Sequence, residues 1–271
     1  MTTGVGILSG RFGRIALLDM DTSLVVHAHA HCHVVLKVDG PDQTFCVDGR
    51  AVPLRNDTAV LVNSWQEHNY THRPDGRRTL FLALYLEPAW LADTDPLFRA
   101  CGGPGFFEQP CAAVTPLARR LALRLVERLQ ALPQVAGDEL EPDIYDLVAA
   151  LGHRHAARAP LMARRIDFRI RRALCEIDRR RSAPVDFGDM AAVAGLSRSR
   201  FNTLFRASTG VTPAVYGNAI RIEASVAALA HGSVSTVADE LGFSAASNFC
   251  RFFQSHTGVA PGEYRRVMAY L

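Results

Sequence analysis

FRASTGVTPAVY, residues 205–216, recurs 48 residues later as FQSHTGVAPGEY, residues 253–264. Each copy closes a longer segment of the same build. The first, DFGDMAAVAGLSRSRFNTLFRAST, offers a helix with the small packing residues Ala191, Ala192 and Ala194, a turn at Gly195, and a second helix. Ser197 is its expected N-cap and Phe201, Leu204 and Phe205 its apolar face. The second, STVADELGFSAASNFCRFFQSHTG, offers Val237, Ala238 and Leu241, a turn at Gly242, an N-cap at Ser244 and a face of Phe249, Phe252 and Phe253. A tight turn between crossing helices needs a residue that accepts positive φ, which glycine does without steric cost. Gly210 and Gly258 end the second helices, and Pro213 and Pro261 stand where a following helix starts. The spacing therefore predicts two helix-turn-helix units joined by a helix from about Ala214 to Ala230.

The repeat sits in the basic part of the chain. Residues 161–271 hold 15 Lys+Arg against 9 Asp+Glu, whereas residues 1–160 hold 15 against 18, so a net charge of +3 conceals halves of +6 and −3. Such asymmetry points to a module that meets a polyanion, nucleic acid first. MAAVAGLSRSRFNTLFRASTGVTPAVY, IRIEASVAALAHG and VADELGFSAASNFCRFFQSHTGVAPGEYR together resemble the DNA-binding domain of the AraC/XylS family of transcription regulators, over about Ile166 to Arg266. The last stretch matches the family signature with Gly242, Phe243, Phe249, Phe252, Phe253, Gly258, Pro261, Tyr264 and Arg265. The resemblance implies double-stranded DNA and RNA polymerase as partners, with each second helix in a major groove. By position in the family pattern, Ser199, Asn202 and Thr203 in the first reader, and Ala246, Ser247 and Arg251 in the second, fall where bases are contacted. Arg198, Arg200 and Arg206 are assigned to phosphates. Seventeen residues of connecting helix span about 25 Å, a rod suited to holding two readers on successive grooves.

Upstream the pattern is different. RIALLDM, SLVVHAH, HVVLKV, TFCV, TAVLV and TLFLALYL alternate with turn-formers such as Asp48-Gly49, predicting five to seven strands between Arg14 and Leu86 in a small sandwich or barrel. Pro88 ends the strands, and an irregular connection with a short helix near Pro96 to Arg99 follows. Leu117, Leu121, Leu125, Leu129 and Leu132 mark an amphipathic helix, with a second helical segment over residues 138–153. These helices pack on the sheet or form a homodimer through residues 114–153. The glycines of Gly4-Val5-Gly6 are read as loop residues, because the dinucleotide-binding spacing is missed. The N-terminal half resembles, less specifically, the cupin-like sensor domains of the same family. The expected fold is α+β in two domains: a cupin-like β-barrel or sandwich with a helical appendage at 1–153, a linker at 154–165, and an all-α DNA-binding domain at 166–271.

His27, His29, His31 and His33 alternate with Ala28, Ala30 and Cys32, which on one strand would project all four imidazoles from one face; His68 follows in NSWQEHNY. In cupin enzymes a His-x-His pair, a nearby carboxylate and a later histidine hold a catalytic metal. His29, His31 and His68 fit the histidine part, but VVLKV at 34–38 lacks the carboxylate. His29, His31, His33 and His68 are therefore read first as groups of a small-molecule effector pocket, then as structural, then as metal ligands. No metal or other cofactor is expected, and no enzyme activity. The alternative is a metal-dependent cupin enzyme, or a metal or thiol sensor using Cys32 or Cys46, fused to a DNA-binding domain. With 48% hydrophobic and 21% charged residues, no membrane-length apolar run and no signal-peptide pattern in MTTGVGILSGRFGR, the chain is expected to be a folded cytoplasmic protein that meets no membrane. Its six cysteines lack CxxC spacing and are read as free thiols.

Overall fold

The computed structural model describes residues 3–73, 77–103, 105–131, 140–152, 166–180 and 185–270. The expected linker at 154–165 lies outside the described residues. Nine strands come first: β1 Thr3–Gly10, β2 Gly13–Met20, β3 Leu24–His27, β4 Cys32–Asp39, β5 Gln43–Val47, β6 Arg50–Leu54, β7 Thr58–Val62, β8 His68–Thr71 and β9 Thr79–Leu86. With β10 (Cys111–Ala113) and β11 (Met268–Tyr270) they form a seven-stranded sheet, β10-β7-β4-β9-β2-β1-β11, and a four-stranded sheet, β3-β8-β5-β6. The pairings are antiparallel except β1 with β11, which is parallel. The β5–β6 hairpin turns at Asp48-Gly49, both at positive φ, as a two-residue turn matched to strand twist requires.

Between Arg14 and Leu86 the strands exceed the five to seven expected, because β6, which contains Pro53, and the polar four-residue β8 do not stand out as apolar runs. The expectation of a loop at Gly4-Val5-Gly6 is overturned: these residues belong to β1. A side chain at Gly6 would meet the Leu129 carbonyl oxygen at 2.7 Å, and one at Gly4 would meet Val267 at 2.8 Å. The glycines thus mark the close approach of helices to a strand.

Pro88 does more than stop β9. It opens α1 (Pro88–Thr94), where its missing N–H costs nothing. A 3₁₀ turn, Pro96–Phe98, follows with the Asp95 side chain accepting from the Leu97 N–H. Helix α2 (Pro116–Gln130), capped by Thr115, buries Leu121, Leu125 and Leu129 while Leu117 stays exposed. Helix α3 (Glu141–Gly152) packs beside it, with Pro142 accommodated in its first turn. Together α1, α2 and α3 cover one face of the large sheet in a core that includes Leu17, Leu84, Leu125 and Leu147. Among the described residues no helix is long and apolar enough to cross a membrane.

The helical half comprises α4 (Phe168–Arg179), α5 (Phe187–Val193), α6 (Arg198–Thr209), α7 (Pro213–Leu229), α8 (Val234–Glu240), α9 (Ala246–Thr257) and α10 (Pro261–Val267). The pairs α5–α6 and α8–α9 close identically. Gly195 and Gly242 have φ of +67° and +69°, and the next residue donates back to the end of the first helix, Leu196 N–H to Ala191 O and Phe243 N–H to Ala238 O, each at 2.9 Å. Helices α6 and α9 end at Gly210 and Gly258, again at positive φ. One expected cap fails: Ser244 does not cap α9, which starts after Ala245 with no side-chain cap. The Ser244 hydroxyl instead accepts a bond from the Asn248 amide at 2.8 Å.

The two helix pairs differ in what they pack against. Phe201 and Phe205 share a core with Ile170, Ile177 and Met190 of α4 and α5. Phe249, Phe253, Val259 and Tyr264 instead join Ile7, Met20, Phe45, Tyr70 and Phe81, so the core between the two sheets runs on into the second pair.

Candidate nucleic-acid interface and histidine cluster

On α6, Arg198, Ser199, Arg200, Asn202, Thr203 and Arg206 are all exposed, while Phe201 and Phe205 are buried. Ser199, Asn202, Thr203 and Arg206 follow the i, i+3, i+4, i+7 spacing of a single helix face. The Ser197 hydroxyl accepts from the Arg200 N–H at 3.4 Å, and the Thr203 hydroxyl donates to the Ser199 carbonyl at 3.1 Å. On α9, Ser247 and Arg251 are exposed, but Ala246 is half-buried and packs on the apolar core. Arg251 donates to the Asn248 side-chain oxygen. The second face therefore carries fewer free hydrogen-bonding groups than the first, and its guanidinium is held in place by a neighbour.

Contacts between the halves were not legible in the sequence. Trp65, at a φ of +57°, stacks on Tyr216 of α7 with ring centroids 4.5 Å apart. Arg206 Nη2 lies 3.7 Å from Glu67 Oε2, so an arginine assigned to phosphate faces a carboxylate of the β-rich half. A cleft of about 640 Å³ opens beside them, lined by Asn63, Trp65, Phe107, Leu174, Ser208 and Tyr216.

The histidine run is not one strand. β3 ends at His27, residues 28–31 are an irregular link, and β4 begins at Cys32, so the single-face expectation is corrected. The cluster forms nonetheless. His27 stands opposite His68 across β3–β8, their rings 4.2 Å apart, and His29 lies 5.0 Å from both His33 and His68. His29 Nε2 and His68 Nε2 are 3.3 and 3.4 Å from His33 Nδ1. His31 turns away, its ring 3.6 Å from Glu87 and 3.9 Å from Glu223 of α7. Burial, which penalises the charged form, holds His27, His29 and His33 well below the usual histidine range and His68 at about 4. For His29 the neighbouring His33 and His68 add to the effect. Arg14 joins the group, over the Tyr85 ring at 4.4 Å and 3.6 Å from Glu223. All six cysteines are free thiols, and the buried Cys32 donates to the Cys101 carbonyl at 2.9 Å.

Residues 190–267 match a family model described as a helix-turn-helix domain. An uncharacterized HTH-type transcriptional regulator of Haemophilus influenzae is 26% identical over 123 residues, 43% of this chain and 41% of that protein. The RCS-specific HTH-type transcriptional activator RclR of Escherichia coli is 31% identical over 84 residues, 30% of each chain. The matches thus span well under half the length of these curated relatives. Over nearly the whole chain the fold is that of ToxT from Vibrio cholerae, with a TM-score of 0.52 at 14% identity, covering 98% of this chain and 97% of that one. The wild-type ToxT solved with an unsaturated fatty acid bound gives a TM-score of 0.56, also at 14% identity, with 98% and 95% covered. The chain thus carries an AraC-type helix-turn-helix domain, the DNA-binding module of transcription regulators, on a two-part fold of the kind seen in ToxT.

Proposed function

We propose that the chain is a one-component transcription regulator in which an effector bound by a cupin-like β-rich half, 1–153, biases how two helix-turn-helix units in 166–271 meet DNA. The observation that carries this is the pair of identically closed helix units, α5–α6 and α8–α9, each exposing the polar face of its second helix. With α7 as spacer the two faces read successive major grooves of one asymmetric site. Ser199, Asn202, Thr203, Ser247 and Arg251 address bases, and Arg198, Arg200 and Arg206 address phosphates. Asn202 suits a bidentate bond to adenine and Arg251 one to guanine. Ala246 contributes at most an apolar contact. RNA polymerase is the further partner, and a homodimer would form through residues 114–153.

Coupling is supported by the contacts that cross between the halves: the Trp65–Tyr216 stack, the Glu67–Arg206 pair and the shared core beneath α9. An effector that binds one arrangement of these contacts better than another shifts the population of DNA-competent molecules, with no catalytic step. That ToxT, of like fold, has been solved with an unsaturated fatty acid supports a ligand-responsive role for the β-rich half. His29, His31, His33 and His68 are the candidate effector groups. The test is selection of bound sequences from a random DNA pool by the full chain, followed by base-by-base affinity profiles. Losses from Asn202→Ala and Arg251→Ala should fall about one helical turn apart; losses at the same position refute the two-groove arrangement.

A further inference from the structure

The cavity bordered by His27 and His29 is only about 30 Å³, lined also by Arg14, Tyr85, Glu223 and His256. That is room for one water-sized group, far below the several hundred cubic ångströms an organic effector needs. His68 does not border it, lining instead a separate cleft of about 780 Å³ with Glu67 and Arg206, but its ring lies against those of His27 and His29, and the three imidazoles are arranged for something of atomic size. His27 Nδ1 donates to the Val25 carbonyl at 2.8 Å, His29 Nδ1 to the His31 carbonyl at 3.0 Å, and His68 Nδ1 to the Gln66 carbonyl at 2.8 Å. A carbonyl only accepts, so in each ring the hydrogen is on Nδ1 and the lone pair on Nε2. This is the outer-shell arrangement that orients metal-binding histidines. Ligand atoms of these three residues lie within 4.8 Å of one another.

Hydrogen counting gives the same answer. His33 Nδ1 sits between His29 Nε2 and His68 Nε2, and its single hydrogen cannot serve both; His33 Nε2 is buried with no partner. Buried lone pairs in excess of hydrogens create a site short of positive charge. We infer that His27, His29 and His68 bind one divalent first-row transition-metal ion through Nε2, and that this ion is the effector. The inference rests on the reading of the β-rich half as the sensor and names its ligand. Three neutral imidazoles suit zinc, copper, nickel, cobalt or ferrous ions and not magnesium or calcium. A tetrahedral site with bonds of about 2.0–2.1 Å needs nitrogens about 3.3 Å apart, so the rings close by up to about 1.5 Å. The irregular link 28–31 and the position of His27 at the end of β3 allow that movement.

The small cavity beside His27 and His29 faces the helical half. Glu223 of α7 and His256 of α9 border the cavity, and the charge of Arg14 there is engaged by Glu223 and the Tyr85 ring. An ion drawing His27 and His29 inward changes the surface on which α7 and α9 rest, which couples occupancy to the DNA-reading helices.

The test uses the full chain, stripped with a chelator and then loaded with Co²⁺ or Zn²⁺, with Mg²⁺ as control. Elemental analysis should find one equivalent of cobalt or zinc and no retained magnesium, and cobalt should show the visible bands of a nitrogen-rich low-coordinate site. His29→Ala and His68→Ala should each weaken binding by roughly 100-fold or more, since even outer-shell losses cost 10- to 100-fold, while the exposed His231→Ala should not. His27→Gln, at a half-buried position, keeps the test valid if the deeper variants misfold; it too should lose the metal. Binding of well under one equivalent, or equal binding by His27→Gln, overturns the site. Affinity for a pool-selected DNA should differ between stripped and zinc-loaded protein. Full metal occupancy with unchanged DNA affinity overturns the effector role. A protein that takes no metal but changes its DNA affinity with an organic ligand overturns the metal and leaves the sensor reading standing.

Discussion

Phe205 and Phe253 occupy equivalent places in the two helix units, both wholly buried, each with a Tyr ring edge-on at 5.5 Å (Tyr216) and 5.1 Å (Tyr264). Truncation to alanine removes the same atoms from each, a loss of about 3–5 kcal/mol for a buried phenylalanine. The consequences should differ, because Phe205 belongs to a core confined to the first unit whereas Phe253 shares one with Ile7 and Met20 of the β-rich half. Amide hydrogen exchange resolves where the loss falls. A drop of that size speeds exchange through local opening by about 150- to 5000-fold. We expect Phe205→Ala to accelerate amides in α4, α5 and α6 and to leave β1 and β3 protected. Phe253→Ala should accelerate α9 and α10 together with β1 and β3. Equal loss in the two strands from both variants, or no loss in either strand from Phe253→Ala, would refute a continuous core between the sheets and the second unit.

Three further outcomes are expected. Asn202→Ala and Arg251→Ala should each weaken a selected DNA site by about 1–3 kcal/mol at particular bases, whereas Arg206→Ala should lower affinity for all sequences alike; competition binding against scrambled sites separates the two patterns. Glu67→Gln should strengthen binding of the full chain to any duplex, by up to about fivefold, because it releases Arg206 from an ion pair worth at most about 1 kcal/mol. Unchanged affinity in a salt titration of the variant would show that the pair does not compete with phosphate. Arg11 grips Glu141 with two bonds of 2.7 Å and one of 2.9 Å, holding that carboxyl below its ordinary 4.5. The stability it contributes is present above pH 4.5 and lost as pH falls through the lowered value, so Glu141→Gln should flatten the acid side of the melting-temperature profile.

What could be read from the chain alone was what local chemistry dictates. Glycine at 195, 210, 242 and 258 and proline at 213 and 261 announce helix boundaries by backbone rules that need no tertiary partner, and the structure places each there. Strand β1 was missed for the opposite reason: its glycines serve a close approach by Leu129 and Val267, residues more than a hundred positions away. The histidine run was noticed for its alternation, yet that alternation is not what assembles the site. A break after His27 and the pairing of β3 with β8 bring His68 to His27, and Arg14, Tyr85 and Glu223 arrive from three other elements. The contacts between the halves, Trp65 with Tyr216 and Glu67 with Arg206, carry no periodic signal at all.

Because α9 and α10 complete the core that begins between the sheets, the chain is less divisible than its two-part composition suggests. A chimera that exchanged the β-rich half at residues 154–165 would bring a foreign surface under Val259 and Tyr264, where Ile7, Met20 and Leu24 now fit. Transplanting the helical half between relatives therefore requires moving the matched faces of β1–β3 together with α9 and α10. For the same reason, substitutions at Ile7 or Met20, buried in the core shared with Phe253 and Tyr264, should alter how α9 is seated.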